Sequence, residues 1–150
     1  MSLPNSHVKK KVVQWLEFAD EDLRLARHGL TLRTGVPYRL IAYHAQQCAE
    51  KHIKAYLVFQ GIDFPFTHNI ARLLELCSEK AAWVKELSEA EELTPFALTT
   101  RYPGEDEAVS KGEALKAVAI AEKARRIIRR SLIGGGLMIV QKSKSKKRSR

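Results

Sequence analysis

The feature that most constrains the fold is the long stretch between Pro37 and Gly61, which contains no other glycine or proline. Proline is favoured at the first position of a helix and glycine just past its end, so this stretch predicts one helix from Pro37 to Gly61, roughly 36 Å long. Its apolar residues fall on more than one face: Ile41, Ala42, Ala45, Cys48, Ala49, Ile53, Ala55, Tyr56, Leu57 and Phe59. A helix that is apolar around so much of its circumference is buried, and we therefore expect it at the centre of a helical bundle.

One further helix is predicted before this central helix in the sequence, and another after it. Apolar residues recur at intervals of four and three over residues 8–33, which predicts an amphipathic helix: Val12, Leu16, Ala19, Leu23, Ala26 and Leu30. After the central helix, Thr67 is expected to cap a third helix. The buried side of that helix carries Ile70, Leu73, Leu74 and Cys77.

The second half of the chain predicts two more helices. The first covers about residues 83–93, and Thr94-Pro95 predicts a kink or a second short helix as far as Thr100. Ser110-Lys111-Gly112-Glu113 has the pattern of a capping box and opens the last helix, which the glycines at 134–136 end. No segment shows strand-like alternation. The sequence therefore predicts an all-α, up-and-down bundle of four to five helices over residues 1–133.

Residues 134–150 are expected to form a glycine-rich break and a basic, disordered tail, with residues 137–140 at most loosely packed. The tail holds six of the cations behind the formal net charge of +9, so the bundle itself is only mildly basic: Lys142, Lys144, Lys146, Lys147, Arg148 and Arg150. Such a tail either binds nucleic acid nonspecifically, through counterion release, or serves as a solvated extension. No aromatic residue lies between the cations, so a stacking platform for single strands is not expected.

Several classes of protein and of site are not expected. No apolar run approaches the roughly 20 residues that span a bilayer, and residues 1–11 show no secretory signal. The two cysteines fall among apolar helical positions, which favours free buried thiols and a cytoplasmic protein. His44 and His52 are separated by about 12 Å of helix rise, too far to share one ion comfortably, so no metal site and no cofactor are expected. The acidic run at residues 105–107 is explained by the helix dipole of the segment that follows.

Four sequence elements resemble those of the HEPN domain. Gln46-Gln47-Cys48-Ala49-Glu50-Lys51, followed by Lys54, is similar to the QQ-x-x-EK signature of the second HEPN helix. His68 and Arg101-Tyr102-Pro103 stand where that family has its H and RYP elements. Residues of the first helix also suit the family, and the resemblance spans about residues 10–132: Trp15, Ala19, Asp22 and Leu23.

This resemblance implies a homodimer that acts as the substrate-binding partner of a minimal nucleotidyltransferase, often within a toxin–antitoxin pair. The broad apolar face of the central helix and the small residues of the last helix are compatible with dimerisation. Many HEPN proteins are ribonucleases that use an R-x(4–6)-H motif near the start of the last helix. Here no histidine follows Arg101 in that window, so the acid or base that the cleavage needs is absent from that position. We therefore expect a non-catalytic module.

The candidate nucleotide or anion site comprises seven residues: Gln47, Glu50, Lys51, Lys54, His68, Arg101 and Tyr102. The first four lie at i, i+3, i+4 and i+7 and share one helix face, where two cations, an amide and a carboxylate suit a phosphate and the polar edge of a base. In the alternative interpretation, Glu50 and Lys54 form an intrahelix pair on a solvated face. Arg101 equally suits an anion or helix-end carbonyls, with Tyr102 packed over the bundle, and His68 suits a loop-fixing hydrogen bond.

Three functional hypotheses follow from these residues. The first is the non-catalytic homodimer that binds a nucleotide, a partner nucleotidyltransferase, or both. The second is a ribonuclease that uses Arg101 with a displaced acid or base such as His68. The third is nonspecific nucleic-acid binding through the basic tail.

Overall fold

The computed structural model describes residues 3–97 and 108–139, and within these ranges it contains helices and no strands. Four α-helices and one 3-10 helix follow in order: α1 Ser6–Gly29, α2 Tyr38–Gln60, α3 Ile70–Cys77, the 3-10 helix Ala82–Phe96 and α4 Lys111–Gly134. The predicted all-α bundle is confirmed. None of the helices in the described part of the chain is long and apolar enough to cross a membrane.

The central position predicted for the second helix is confirmed, since α2 packs against each of the other helices and most of its residues are buried. Contacts along its length show the directions of its neighbours. Gly29 of α1 lies against Ile41, near the start of α2, so α1 and α2 are antiparallel. Gly135, just past α4, lies against Phe59 near the end of α2, so α2 and α4 are parallel. Gly61 ends α2 in the left-handed region at φ 71°, where glycine carries no Cβ penalty.

Two predicted helix boundaries differ from the structure. α1 ends at Gly29, whereas the apolar pattern predicted a helix to residue 33. A Cβ at position 29 would lie 2.8 Å from the Ile41 side chain, so a glycine at the end of α1 permits a close approach to α2. The cap of α3 is Asn69, because its side chain accepts from the Arg72 amide at 3.1 Å; Thr67 instead accepts from the Asn69 amide at 3.0 Å.

The segment predicted to be α-helical over residues 83–93, with a break at Thr94-Pro95, is a single 3-10 helix from Ala82 to Phe96. Pro95 lies inside it, and the Ala97 amide still bonds to the Thr94 carbonyl at 3.0 Å. The predicted extension of this region to Thr100 lies outside the described residues. The capping box of α4 is confirmed, since Ser110 and Glu113 each bond to the other's backbone amide.

The expectation that residues 137–140 are loose is wrong for Leu137, whereas Met138 is 85% exposed. Leu137 is 3% exposed and its amide bonds to the Leu132 carbonyl at 2.9 Å, while the Gly136 amide bonds to the Ile133 carbonyl. These two bonds form a Schellman motif, which requires the positive φ of 104° at Gly136. The folded unit therefore extends past the glycines and includes the side chain of Leu137.

Candidate functional site

The centre of the candidate site is the carboxylate of Glu50, a side chain on α2 that is only 3% exposed. Its Oε1 accepts a hydrogen bond from Gln46 Nε2 at 2.7 Å and lies 2.9 Å from Nδ1 of His68. Its Oε2 accepts from Lys54 Nζ at 2.7 Å. Gln46 in turn accepts from Gln47 Nε2 at 2.9 Å. The two carboxylate oxygens thus serve three donors from α2 and the following loop.

Local structure explains how these groups meet. Gln46, Glu50 and Lys54 stand at i, i+4 and i+8, so one face of α2 carries all three. His68 comes from the loop between α2 and α3, just before the cap of α3. The 3-10 helix also fixes the end of this loop, because the first amide of α3, at Ile70, donates to Thr94 Oγ1 at 3.2 Å.

The ammonium group of Lys54 is enclosed by aromatic rings. Its Nζ lies 5.7 Å from the ring centroid of Trp15 on α1 and 5.8 Å from that of Phe64 in the α2–α3 loop, both within range of a cation–π interaction. The Lys54 residue as a whole is 4% exposed. A cation so buried and so fully engaged is not available to a ligand without a rearrangement of the loop.

A second carboxylate repeats the pattern at the surface between α1 and α2. Oδ1 of Asp22 lies 2.8 Å from His44 Nδ1, and Oδ2 accepts from Lys51 Nζ at 2.6 Å. The Lys51 ammonium lies 6.0 Å from the ring centroid of Phe18, which is half-exposed. As with Glu50, one carboxylate oxygen faces a lysine and the other a histidine Nδ1. This second cluster is only partly buried, and the Lys51 side chain keeps 22% of its surface exposed.

The four residues predicted to share one ligand face on α2 are divided between these two clusters. Glu50, Lys54 and Gln47 are buried in the first, and Lys51 joins Asp22 in the second. The intrahelix Glu50–Lys54 pair of the alternative interpretation is present, but its surroundings are buried and not solvated.

The two groups of the predicted set that reach solvent in the described structure are Lys51 and the 43% exposed side chain of His68. Arg101 and Tyr102 lie outside the described residues, as do the six tail cations, Lys142, Lys144, Lys146, Lys147, Arg148 and Arg150.

Six residues of the two clusters were not predicted as site residues from the sequence: Trp15, Phe18, Asp22, His44, Gln46 and Phe64. Gln46 carries a readable signal, because it stands four residues before Glu50 on the same helix face. The partners of Asp22 become visible only when α1 packs against α2, since His44 and Lys51 are 22 and 29 residues away in sequence.

A third polar cluster lies between α1, α2 and α4, around the fully buried His52. Nδ1 of His52 lies 2.9 Å from the Cys48 carbonyl, and Nε2 accepts from Arg129 Nε at 3.2 Å. Arg129 also pairs with Asp20 at 2.9 Å. Burial, followed by the nearby Arg129 charge, lowers the pKa of the His52 imidazole to about 3. The ring is therefore neutral and ties the three long helices together.

The remaining features offer less chemistry. Within residues 3–97 and 108–139, no three His, Cys, Asp or Glu side chains are placed to hold a metal ion. An open groove of about 420 Å³ lies at the start of α2, where Val36, Tyr38 and Leu40 face Val109. Its one charged lining residue is Arg39, about three helical turns from Glu50. The groove is thus separate from the two carboxylate clusters.

Comparisons with known proteins agree with this architecture. The sequence profile of the HEPN domain matches residues 12–131. The crystal structure of TT1696 from Thermus thermophilus is similar, with 28% identity, a TM-score of 0.64 and coverage of 80% of this chain and 97% of that chain. The structure of ST0689, described as an archaeal HEPN homologue, is similar with 25% identity, a TM-score of 0.61 and coverage of 81% and 97%. A search of curated proteins found no match.

Proposed function

Because the chain belongs to the HEPN domain family, we propose that it is a non-catalytic, homodimeric module that binds a nucleotide, a partner nucleotidyltransferase, or both, of the kind that operates in toxin–antitoxin pairs. In this proposal Lys51 and His68 contact the nucleotide. Glu50, paired with Lys54, holds His68, and Asp22 holds Lys51. Arg101 and Tyr102 remain candidate contacts from the sequence.

The observation that supports the proposal most is the position of His68 above the buried Glu50. A carboxylate and an ammonium group lose several kcal/mol of solvation each on burial, and apolar residues in their place are often equally stable or more so. A buried pair such as Glu50–Lys54 is therefore better explained by a role than by stability. Glu50 orients the ring of His68 while nearly half of that side chain stays open to solvent, as outer partners orient the working groups of binding sites.

Lys51 supplies the charge for a phosphate. An ammonium group has three N–H donors, of which Asp22 takes one. The side chain is partly exposed and its position is fixed from two sides, by Asp22 and by the ring of Phe18. A phosphate oxygen can therefore be added to Lys51 without breaking the Asp22 pair.

The non-catalytic part of the proposal is supported by the sequence around Arg101. The five histidines of the chain all precede it, the last being His68, so no R-x(4–6)-H motif begins at Arg101. At the start of α4, Ser110 and Glu113 form a capping box. Neither a hydroxyl nor a carboxylate engaged in a helix cap is free to act as the acid or base of RNA cleavage.

The dimer of this proposal needs a surface other than the one the sequence suggested. The apolar residues of α2 and the small residues of α4 are buried within the single chain, so neither is available to a second copy. Phe18 and Leu25 stand seven residues apart on α1 and are 51% and 54% exposed. They offer an apolar surface beside the Asp22 cluster. Light scattering is expected to give twice the mass of one chain, and a single-chain mass would contradict the homodimer.

The nucleotide is tested by melting the full-length protein with ATP, GTP or AMP, and with tripolyphosphate to report nonspecific attraction to the tail. A ligand of the native state at a hundredfold excess over its dissociation constant stabilises it by about 2.7 kcal/mol. The shift should be lost in Lys51→Ala and kept in Lys116→Ala, which removes an exposed lysine paired to Glu92. The absence of any shift specific to a nucleotide would overturn nucleotide binding and leave the partner protein as the ligand.

One observation favours a second candidate, a ribonuclease that uses Arg101 with His68 as its acid or base. The hydrogen bond of Glu50 to Nδ1 leaves the other ring nitrogen of His68 on the open side, which is the geometry of a general base oriented by a carboxylate. This candidate predicts RNA cleavage that disappears in both Arg101→Ala and His68→Ala. Cleavage that survives both substitutions would remove it.

A further inference from the structure

The feature with unexplained chemistry is the outward edge of the His68 ring. Nδ1 of His68 faces Oε1 of Glu50 at 2.9 Å, and that carboxylate already accepts from Gln46 and Lys54. A carboxylate in an ion pair can only accept hydrogen bonds, so the proton of the neutral ring must be on Nδ1. The other nitrogen, Nε2, then carries a lone pair and acts as an acceptor.

Nε2 is the nitrogen of the His68 ring that does not face Glu50. The Glu50 side chain is 3% exposed, whereas that of His68 is 43% exposed. Within residues 3–97 and 108–139, the bond to Glu50 is the one hydrogen bond that the ring makes. A fixed acceptor that faces solvent selects a ligand group that donates.

Among the groups of a nucleotide, the phosphate oxygens accept hydrogen bonds, whereas the ribose hydroxyls and the amino groups of the bases can donate them. We propose that Nε2 of His68 accepts a hydrogen bond from the ribose 2′-hydroxyl of the bound nucleotide, so that the site selects ribonucleotides over 2′-deoxyribonucleotides. This inference rests on the nucleotide binding proposed above and names the chemical group that the site recognises. The 2′-hydroxyl is the group through which a protein distinguishes the two sugars.

A neighbouring aromatic residue gives the base a place beside that hydroxyl. Phe66 is 99% exposed, although burial of a phenylalanine is strongly favoured in water. It precedes His68 by two residues, so their Cα atoms are at most about 7 Å apart. The two side chains therefore belong to the same short stretch of the loop. Stacking on one aromatic ring contributes about 1–3 kcal/mol per base and accepts any base.

The loop that carries both residues is held at each end, which keeps the two groups in register. Phe64 packs against Lys54, and Asn69 caps α3 through the Arg72 amide. Phe66 and His68 lie between these fixed points. The sugar contact therefore does not depend on closure of a mobile segment.

The proposal is tested by measuring, with the full-length protein, the dissociation constants of ATP, 2′-deoxy-ATP and 3′-deoxy-ATP. One lost hydrogen bond to an exposed acceptor predicts about five- to tenfold weaker binding of 2′-deoxy-ATP. The 3′-deoxy compound should bind like ATP. In His68→Ala the ratio of the dissociation constant of 2′-deoxy-ATP to that of ATP should fall to about one. In Phe66→Ala the binding of all three nucleotides should weaken by a similar factor.

The substitution Glu50→Gln tests the direction of the hydrogen bond between position 50 and the His68 ring. A glutamine amide can donate to Nδ1, which moves the ring proton to Nε2 and turns the acceptor into a donor. Discrimination between the sugars should then disappear. Nitrogen-15 spectra of the histidine rings report the same event without any ligand, with the Nδ1–H form in the native protein and the Nε2–H form in the variant.

The results distinguish a failure of nucleotide binding from a failure of the sugar contact. If no nucleotide binds, both the proposed function and this inference fail. If ATP and 2′-deoxy-ATP bind equally well, or if the discrimination survives His68→Ala, nucleotide binding stands and the sugar contact is overturned. An Nε2–H ring at His68 in the native protein overturns the contact by itself, whatever the variants do. Selectivity for the 3′-hydroxyl would likewise contradict it.

Discussion

Glu50 and Lys54 form an ion pair of 2.7 Å one helical turn apart on α2, with side chains that are 3% and 5% exposed. Their surroundings are apolar and aromatic, with Trp15 and Phe64 on the lysine. A pair in such a place is costly to break, because removal of one member leaves the other charged and buried. The pair is also the support of His68, so stability and binding depend on the same contact.

We expect Glu50→Ala to lower the free energy of unfolding by roughly 3–5 kcal/mol, because Lys54 loses its counterion in a buried position. Glu75→Ala is the matched control, since it breaks an exposed pair with Arg72 at 2.9 Å. That change should cost less than about 1 kcal/mol. Urea unfolding of the three proteins measures both values. Similar costs for the two substitutions would show that Glu50 is not buried as described.

Acid should destabilise the protein through His52. Burial and the Arg129 charge lower the pKa of this ring from 6.5 to about 3 in the folded state, so between these values the unfolded chain binds the proton and the folded chain does not. Stability then rises with pH across this window, with a slope of up to about 1.4 kcal/mol per pH unit from this group. Unfolding in urea at several pH values measures the slope.

The matched variant for that experiment is His52→Gln, which removes the titration and keeps a side chain that can bond to Arg129. Its slope above pH 4 should be clearly smaller than that of the native protein. Asp20 contributes at lower pH: burial alone would raise its pKa, but Arg125 and Arg129 outweigh this and lower it, so its contribution is lost as the pH falls below 3.8. An unchanged slope in His52→Gln would refute the assignment.

The two cysteines should be unreactive in the folded protein. Both are free and buried, as the sequence predicted, and burial raises the pKa of each thiol to about 12. The thiolate is the reactive form, so almost none is present at neutral pH. Labelling with an aromatic disulfide reagent should show no reaction before urea is added and two reacting thiols afterwards. Single replacements, Cys48→Ser and Cys77→Ser, assign each signal. Rapid labelling of the native protein would contradict the burial.

The position of Leu137 determines where the basic tail can be removed. A chain that ends at residue 139 should keep the melting temperature of the full-length protein. A chain that ends at residue 136 loses a side chain that is 3% exposed, together with its amide bond to Leu132. That loss predicts a decrease of about 2–3 kcal/mol in the free energy of unfolding. Equal melting temperatures for the two truncated chains would mean that Leu137 contributes no packing.

The 139-residue chain also tests the tail itself. If the six cations of residues 142–150 bind nucleic acid, removal of residues 140–150 should abolish binding to duplex DNA at low salt. The same binding should disappear from the full-length protein when the salt is raised. Binding that is unchanged after the truncation would place the contact in the bundle.

Sequence periodicity was sufficient for the helices that pack through long apolar stripes. α2 and α4 have ends near the predicted positions because Gly61, Ser110 and the glycines at 134–136 act through local geometry. The 3-10 helix was not predicted, because its buried residues Trp83, Leu87, Ala90 and Leu93 also fit the period of an α-helix.

The candidate site was predicted less well for a physical reason. Residues on one helix face share a direction, but neighbouring elements decide whether that direction is open. Trp15 and Phe64 cover Lys54, and Asp22 of α1 forms an ion pair with Lys51. None of these contacts follows from the spacing of residues within α2. His68 was predicted as a site residue through the family resemblance, and that role stays a prediction. Its partner, Glu50, required the structure.

The 3-10 helix Ala82–Phe96 has a consequence for how the protein opens. Hydrogen bonds of a 3-10 helix have poorer geometry than those of an α-helix, and this one runs for 15 residues. Its amide protons should therefore exchange with solvent through local opening, whereas those in the middle of α2 should exchange only when the whole bundle unfolds. Thr94 bonds to the first amide of α3, so each opening of this segment also loosens the support behind the loop of Phe66 and His68. The exchange rate of the Ile70 amide is thus a direct measure of how long that loop stays anchored.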